Sequence, residues 1–146
     1  MKKILVPIDG SEASQKAAEK AIEIAEIFNS EITFIHVIYV PDSLRHTRYG
    51  YYLENDYPEM TLRMKETGEK FLDSFIGGLD CSGVECHRLV IAGQPYDEIL
   101  KTASEGEFDL IVMGRRGFSK IKRFFVGSVT QRVISDSTCP VLVVQE

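Results

Sequence analysis

Leu110-Ile111-Val112-Met113-Gly114-Arg115-Arg116-Gly117, resumed after nine further residues by Gly127-Ser128-Val129-Thr130, decides how this chain is read. An apolar run stops at Gly114, glycine returns at Gly117 and Gly127, and a hydroxyl residue follows at once. A strand ends, the backbone folds tightly where no Cβ intrudes, and a helix begins at a hydroxyl residue. The first N–H groups of a helix lack intrahelical partners, and small residues let a phosphate come close to them. The spacing therefore predicts a phosphate-binding loop.

The rest of the composition is compatible with that loop. The chain has 146 residues, 44% hydrophobic and 27% charged, which fits one soluble domain spanning 1–146. A net charge of −5 argues against general nucleic-acid binding, which needs a basic footprint. Yet Arg115, Arg116, Lys120, Lys122 and Arg123 crowd the glycine segment, so the basic cluster coincides with the proposed anion site. Pro7 and Asp9 interrupt the first apolar stretch, so no signal peptide is read there, and no run is long enough to span a membrane. Cys81, Cys86 and Cys139 lack metal-type pairing and read as reduced thiols of a cytoplasmic protein, with a Cys81–Cys86 disulfide as the alternative.

Short apolar runs alternate with helical patterns, the signature of βα repetition around a five-stranded parallel sheet. Strands are expected at Lys3–Ile8, Glu31–Ile38, Val84–Ile91, Phe108–Met113 and Cys139–Val144. Glu85, His87 and Arg88 mark the third as an edge strand. Ser11 caps a helix carrying Ala17, Ala21, Ile24, Ala25 and Phe28 at helical spacing. Further helices hold Leu62 to Leu79, Ile99 to Ala103 and Ser128 to Ser135. Between Tyr39 and Glu59, Pro41, Gly50 and Pro58 punctuate a Tyr-rich stretch that reads as an irregular excursion.

In an open parallel sheet, ligands bind beyond the carboxyl ends of the strands, where connections diverge to opposite faces. The end of the first strand, Pro7-Ile8-Asp9-Gly10-Ser11, and the glycine loop both lie there. If these strands are neighbours, Asp9 stands beside the anion. A carboxylate next to phosphates has a use through a bridging Mg²⁺; otherwise Asp9 is a turn residue bonded to its own backbone. Competing motifs fail on spacing. Val126-Gly127-Ser128 lacks the P-loop lysine, and the first turn lacks Gly-x-Gly-x-x-Gly. The third strand ends in Ile91-Ala92-Gly93, without a receiver aspartate.

These residues carry a resemblance. Pro7-Ile8-Asp9-Gly10-Ser11, His36-Val37, Gly93-Gln94-Pro95, the glycine segment and Cys139-Pro140-Val141-Leu142-Val143-Val144, in this order and from end to end, resemble the universal stress protein family. The glycine spacing is similar to that of its nucleotide-binding branch. The resemblance implies a three-layer α/β sandwich of flavodoxin-like, adenine nucleotide alpha hydrolase-like type, strand order 3-2-1-4-5, a homodimer and bound ATP, to which the reading of Asp9 adds Mg²⁺. By position, Pro7, Ile8 and Asp9 would line the nucleotide and Val37 the adenine. Met113, whose type reads as core first and ligand wall second, would lie with Gly114, Arg116 and Gly117 by ribose and phosphates, and Gly127, Ser128, Val129 and Thr130 would grip the phosphates through backbone N–H groups and hydroxyls. The family often has threonine at the position of Ile8, which removes a hydroxyl here and leaves backbone contacts to the base.

No side chain reads as a general base for water, and Asp9 is better used on a metal. The expectation is therefore a nucleotide-binding switch or sensor in stress response with slow hydrolysis at most. Its rivals are an interaction dimer with a vestigial site and a slow Mg²⁺-dependent ATPase. The apolar last strand, 140–144, falls at a sheet edge, where pairing with a symmetric partner would cover it.

Overall fold

The computed structural model describes residues 1–40, 50–117 and 126–145, with backbone alone for 50–58. Its elements are β1 (Lys3–Pro7), α1 (Glu12–Phe28), β2 (Glu31–Tyr39), α2 (Gly50–Gly77), β3 (Cys86–Gly93), α3 (Pro95–Glu105), β4 (Leu110–Gly114), α4 (Ser128–Asp136) and β5 (Val141–Val144). All strand pairings are parallel and the order is β3-β2-β1-β4-β5, the α/β architecture expected. β1 is the central strand. It pairs with β2 from Lys3↔Glu31 to Pro7↔Ile35, and with β4 at Ile4↔Leu110 and Leu5↔Ile111.

Ile4, Leu5 and Val6 are each fully buried, as a parallel strand covered on both faces requires. Alternation sends Ile4 and Val6 into a core with α1 and α2, and Leu5 into a second core with α3 and α4. In the first, Phe34 and Leu72 are fully buried, and Phe75 meets Phe34 edge-on at 6.5 Å between ring centroids. Helix α1 buries Ala13, Ala17, Ala18, Ala21 and Ala25, a small-residue stripe that brings its axis close to the sheet. Ser11 caps its start by accepting the Ser14 N–H, and Asn29 ends it at φ 52°.

Two expectations change. The irregular excursion does not reach Glu59, because Gly50–Gly77 forms one helix; 41–49, with Tyr49, lie outside the described residues. Pro58 removes one amide donor but leaves the other turns intact, so in a helix of 28 residues it does not act as a boundary. Glycine also fails to end strands. β3 and β4 run through Gly93 and Gly114 because each still has a pairing partner, Tyr39 and Val144.

Gly114 is where helix and sheet touch. A Cβ there would lie 2.7 Å from Ala13 Cβ and 2.9 Å from the Ala13 carbonyl oxygen, and backbone cannot yield cheaply. Gly114→Ala is expected to cost about 1–3 kcal/mol by overpacking. Gly77→Ala meets nothing within 4 Å and should be neutral or stabilising. Urea unfolding of both variants, with unchanged m, checks this pair; an unaffected Gly114→Ala would refute the close approach.

Cys81, Cys86 and Cys139 are all free thiols. Burial, then hydrogen bonding and charge interaction with Cys81, push the Cys86 thiol up to about 12. In the unfolded chain it ionises near its ordinary value of 9.0, so between about 9 and 12 only the unfolded state loses that proton. Stability must fall across this window. Cys86→Ala should flatten the decline in a melting-temperature series; an unchanged slope would contradict the assignment.

Candidate functional site

β1 and β4 end side by side, and the chain leaves them in opposite senses: β1 feeds α1 on one face, β4 feeds α4 on the other. Such a divergence opens a crevice. A cleft of about 330 Å³ lies here, at the small end of the range for ligand pockets. Pro7, Ile8, Asp9, Val37, Gly114, Arg116, Gly117, Gly127, Ser128, Val129 and Thr130 all border it. Those residues come from three strand ends, the glycine loop and one helix start.

The helix starts differ in how their amides are satisfied. Helix α1 has the Ser11 cap and Glu12 in its first turn, and α3 begins with Pro95, which has no N–H, followed by Asp97 and Glu98. Helix α4 has no side-chain cap, because its N-cap is Gly127, and no acidic residue in its first turn. Gln131 N–H reaches the Gly127 carbonyl at 2.9 Å, and Gly127 N–H reaches the Arg115 carbonyl at 2.8 Å. The amides of Ser128, Val129 and Thr130, between them, precede the first intrahelical bond, and all three residues border the cleft. Their partial positive charge favours an anion.

The glycines serve space rather than unusual dihedrals, since none of Gly114, Gly117 and Gly127 has positive φ. A Cβ on Gly127 would press on Arg116 Cα at 3.1 Å, and one on Gly117 would overlap Asp9 Oδ2. The loop is thus folded onto Asp9. That carboxylate accepts the Ser11 N–H on Oδ1 at 2.9 Å, the turn geometry considered for it, while Oδ2 faces Gly117. The positive φ at this end belongs to Gly10, at 86°. One oxygen positions the turn and the other remains for a cation beside the anion site, so the donor set fits a Mg²⁺ carried by phosphates.

Several expected roles change. Thr130 is buried and its hydroxyl donates to the Gly114 carbonyl at 2.9 Å. Its hydrogen is therefore spent on holding α4 to β4, and what it offers the cleft is its amide. Met113 does not border the cleft; it is 5% exposed and packs with Leu5, Ile35 and Val133 behind it. Alternation along β4 forces this, because Met113 shares the face of Ile111 rather than the end of the strand. Ile8 borders the cleft, but its N–H donates to the Ile35 carbonyl and its carbonyl accepts the His36 Nδ1–H, both at 2.8 Å. Ile8 supplies an apolar wall more than backbone contacts. Lys120, Lys122 and Arg123 of the basic cluster lie outside the described residues.

Four lining residues carry no ligand role in the sequence reading: Ser11, read as a helix cap, Ser14, Ile35 and Pro95. Ile35 follows from register, since it pairs with Pro7 and sits two residues before Val37 on the same face. Ser14 could have been found as the fourth residue of the Ser11 capping turn; its hydroxyl donates to the Ser11 carbonyl. Ile8, Ile35, Val37 and Pro95 give one end of the cleft an apolar surface, and the α4 amides give the other a polar one.

Comparison with known proteins places this geometry in a family. The model of the universal stress protein family matches residues 1–145. Universal stress protein MJ0531 of Methanocaldococcus jannaschii is 37% identical over 145 residues, covering 99% of this chain and 82% of that protein. The solved structure of MJ0577, from the same organism, superposes with a TM-score of 0.82 at 30% identity, covering 99% of this chain and 96% of that one. A universal stress protein from Archaeoglobus fulgidus, solved in complex with dAMP, shares the fold at 22% identity, a TM-score of 0.63 and coverage of 98% and 97%. Another, solved in complex with cAMP, has a TM-score of 0.61 at 22% identity, with coverage of 99% and 96%. This chain belongs to the universal stress protein family.

Proposed function

We propose that this protein is a dimeric ATP-binding switch of the stress response, which takes its nucleotide with Mg²⁺ and hydrolyses it slowly at most. The observation that carries this reading is the uncapped start of α4, whose Ser128, Val129 and Thr130 border the same cleft as Asp9 at the β1–β4 divergence. An anion there gains the helix dipole and several N–H donors without requiring a lysine. The free Ser128 side chain, exposed at the first helical position, adds a hydroxyl. The apolar end formed by Ile8, Ile35, Val37 and Pro95 suits a purine ring better than a second charged group. That two more distant members of the family were solved with cAMP and dAMP supports the adenine preference.

Slow chemistry follows from the same list. Among the described residues, Asp9 is the one carboxylate bordering the cleft, and one of its oxygens already accepts the Ser11 N–H. Holding a metal and activating water are competing uses of the other. The nearby His36 directs Nδ1 to the Ile8 carbonyl and stacks on Phe71 at 4.8 Å, which fixes it as a structural group. Turnover should stay well below about 1 per second.

The dimer reading rests on β5. Among the described residues it pairs along one side, with β4, so the other side leaves backbone groups open to a second chain. Leu142 is 36% exposed on that strand. A symmetric strand-to-strand contact would cover it.

Titration calorimetry tests the binding site. Wild type should bind ATP more tightly with Mg²⁺ than without. Asp9→Ala should erase that gain while metal-free affinity holds or rises, since a repelling charge is removed; an undiminished Mg²⁺ gain would reject the metal role. Light scattering tests the assembly: Leu142→Glu should convert dimers into folded monomers at micromolar concentration. A dimer indifferent to it would place the interface elsewhere.

A further inference from the structure

The far end of the sheet holds a second constellation. Glu31 opens β2, Glu85 immediately precedes β3, and His87 is the second residue of β3. Strand register brings them together: Ile32 pairs with Cys86, Thr33 with His87, and Ile32 N–H reaches the Glu85 carbonyl at 2.8 Å. Side chains two apart share a face, so Glu85 and His87 project together, joined by Glu31 from the neighbouring strand. His87 Nε2 lies 3.3 Å from Glu85 Oε1 and 3.7 Å from Glu31 Oε2, and one donor atom from each residue lies within 4.8 Å of the others.

We propose that Glu31, Glu85 and His87 form a surface site for a divalent transition metal of the zinc class. Two ligands at bond lengths of about 2.0–2.2 Å and tetrahedral angles stand about 3.4 Å apart. The two distances from His87 Nε2 bracket that value, so small side-chain rotations seat an ion. An imidazole with two carboxylates suits zinc, nickel or cobalt and not magnesium, which prefers oxygen alone. Charge also favours a dication. The bordering Lys3 directs its ammonium to the Gly106 carbonyl at 3.0 Å and over the Phe108 ring, away from the glutamates. With His87 neutral the cluster carries two negative charges, and Lys2, which also borders the groove, makes no salt bridge with either glutamate among the described residues. A groove beside Glu31 and Glu85, lined also by Asn29 and Ser30, admits water to the remaining coordination positions.

The alternative is a plain ion pair in which protonated His87 bridges the two glutamates. Titration of the nucleotide-free protein with ZnCl₂ and, separately, MgCl₂ separates the two. One equivalent of Zn²⁺ should bind, with Mg²⁺ far weaker and with the imidazole Nε2 resonance of His87 shifted by the metal. His87→Ala should weaken Zn²⁺ at least tenfold, and the Glu31→Gln, Glu85→Gln double variant likewise. The site lies at the opposite sheet end from the cleft, and the titration is made without nucleotide because ATP itself chelates Zn²⁺. This result does not depend on whether ATP binds. No heat with Zn²⁺, equal affinity in His87→Ala, or Mg²⁺ binding as tightly would overturn the site.

Discussion

The pairing of β1 with both β2 and β4 is the constraint from which the rest follows. Both pairings are parallel, so the crossover connections lay helices on both faces of the sheet and Ile4, Leu5 and Val6 are fully buried. Right-handed crossovers then send successive connections to opposite faces wherever chain order reverses across the sheet. The reversal falls between β1 and β4. No side chain was needed to open the cleft. Topology opened it, and the sequence had only to avoid filling it.

That avoidance explains the glycines better than flexibility does. Gly114 permits β4 to lie against the backbone of α1, Gly117 leaves room for the Asp9 carboxylate, and Gly127 lets the loop close on Arg116. Gly127 has a second effect, since a glycine N-cap has no side chain with which to satisfy its own helix. The bare start of α4 and the Ser-capped start of α1 stand on either side of the same divergence. A ligand that satisfies the α4 amides does for that helix what Ser11 does for α1. The site is then a missing cap as much as a binding pocket.

The strand alternation, the capping serine and the glycine spacing were legible in the sequence because each is a local pattern with one physical meaning. The strand order was not read locally; it came with the resemblance to the family. Met113 shows the limit on the other side. Its apolar type reads as core first and its place beside Gly114 as ligand wall second; a strand turns consecutive side chains to opposite faces, and Met113 belongs to the α3–α4 core. The bond that occupies the Thr130 hydroxyl is hidden for a related reason. A hydroxyl in a phosphate-loop pattern invites a ligand role, while the Gly114 carbonyl that claims it lies 16 residues away and is visible only in three dimensions. The helix through Pro58 was hidden because punctuation residues carry weight in short segments and little in long ones.

A site made chiefly of backbone amides has a consequence for how the protein tolerates change. Ser128, Val129 and Thr130 offer N–H groups that survive most substitutions, so long as Gly127 stays small and α4 stays docked. Docking depends on the Thr130 bond to Gly114 and on fully buried Val133. The apolar end of the cleft relies on buried Ile8 and Ile35, where a hydroxyl can be exchanged for an apolar group without disturbing strand hydrogen bonds. Ile8 illustrates the point: both its backbone groups are held by β2, whatever its side chain. Sensitivity therefore concentrates where space is scarce, at Gly114 and Gly117, and where charge is single, at Asp9. A protein built this way can vary its surface, and with it its partners, while the interior of the cleft stays fixed by steric necessity.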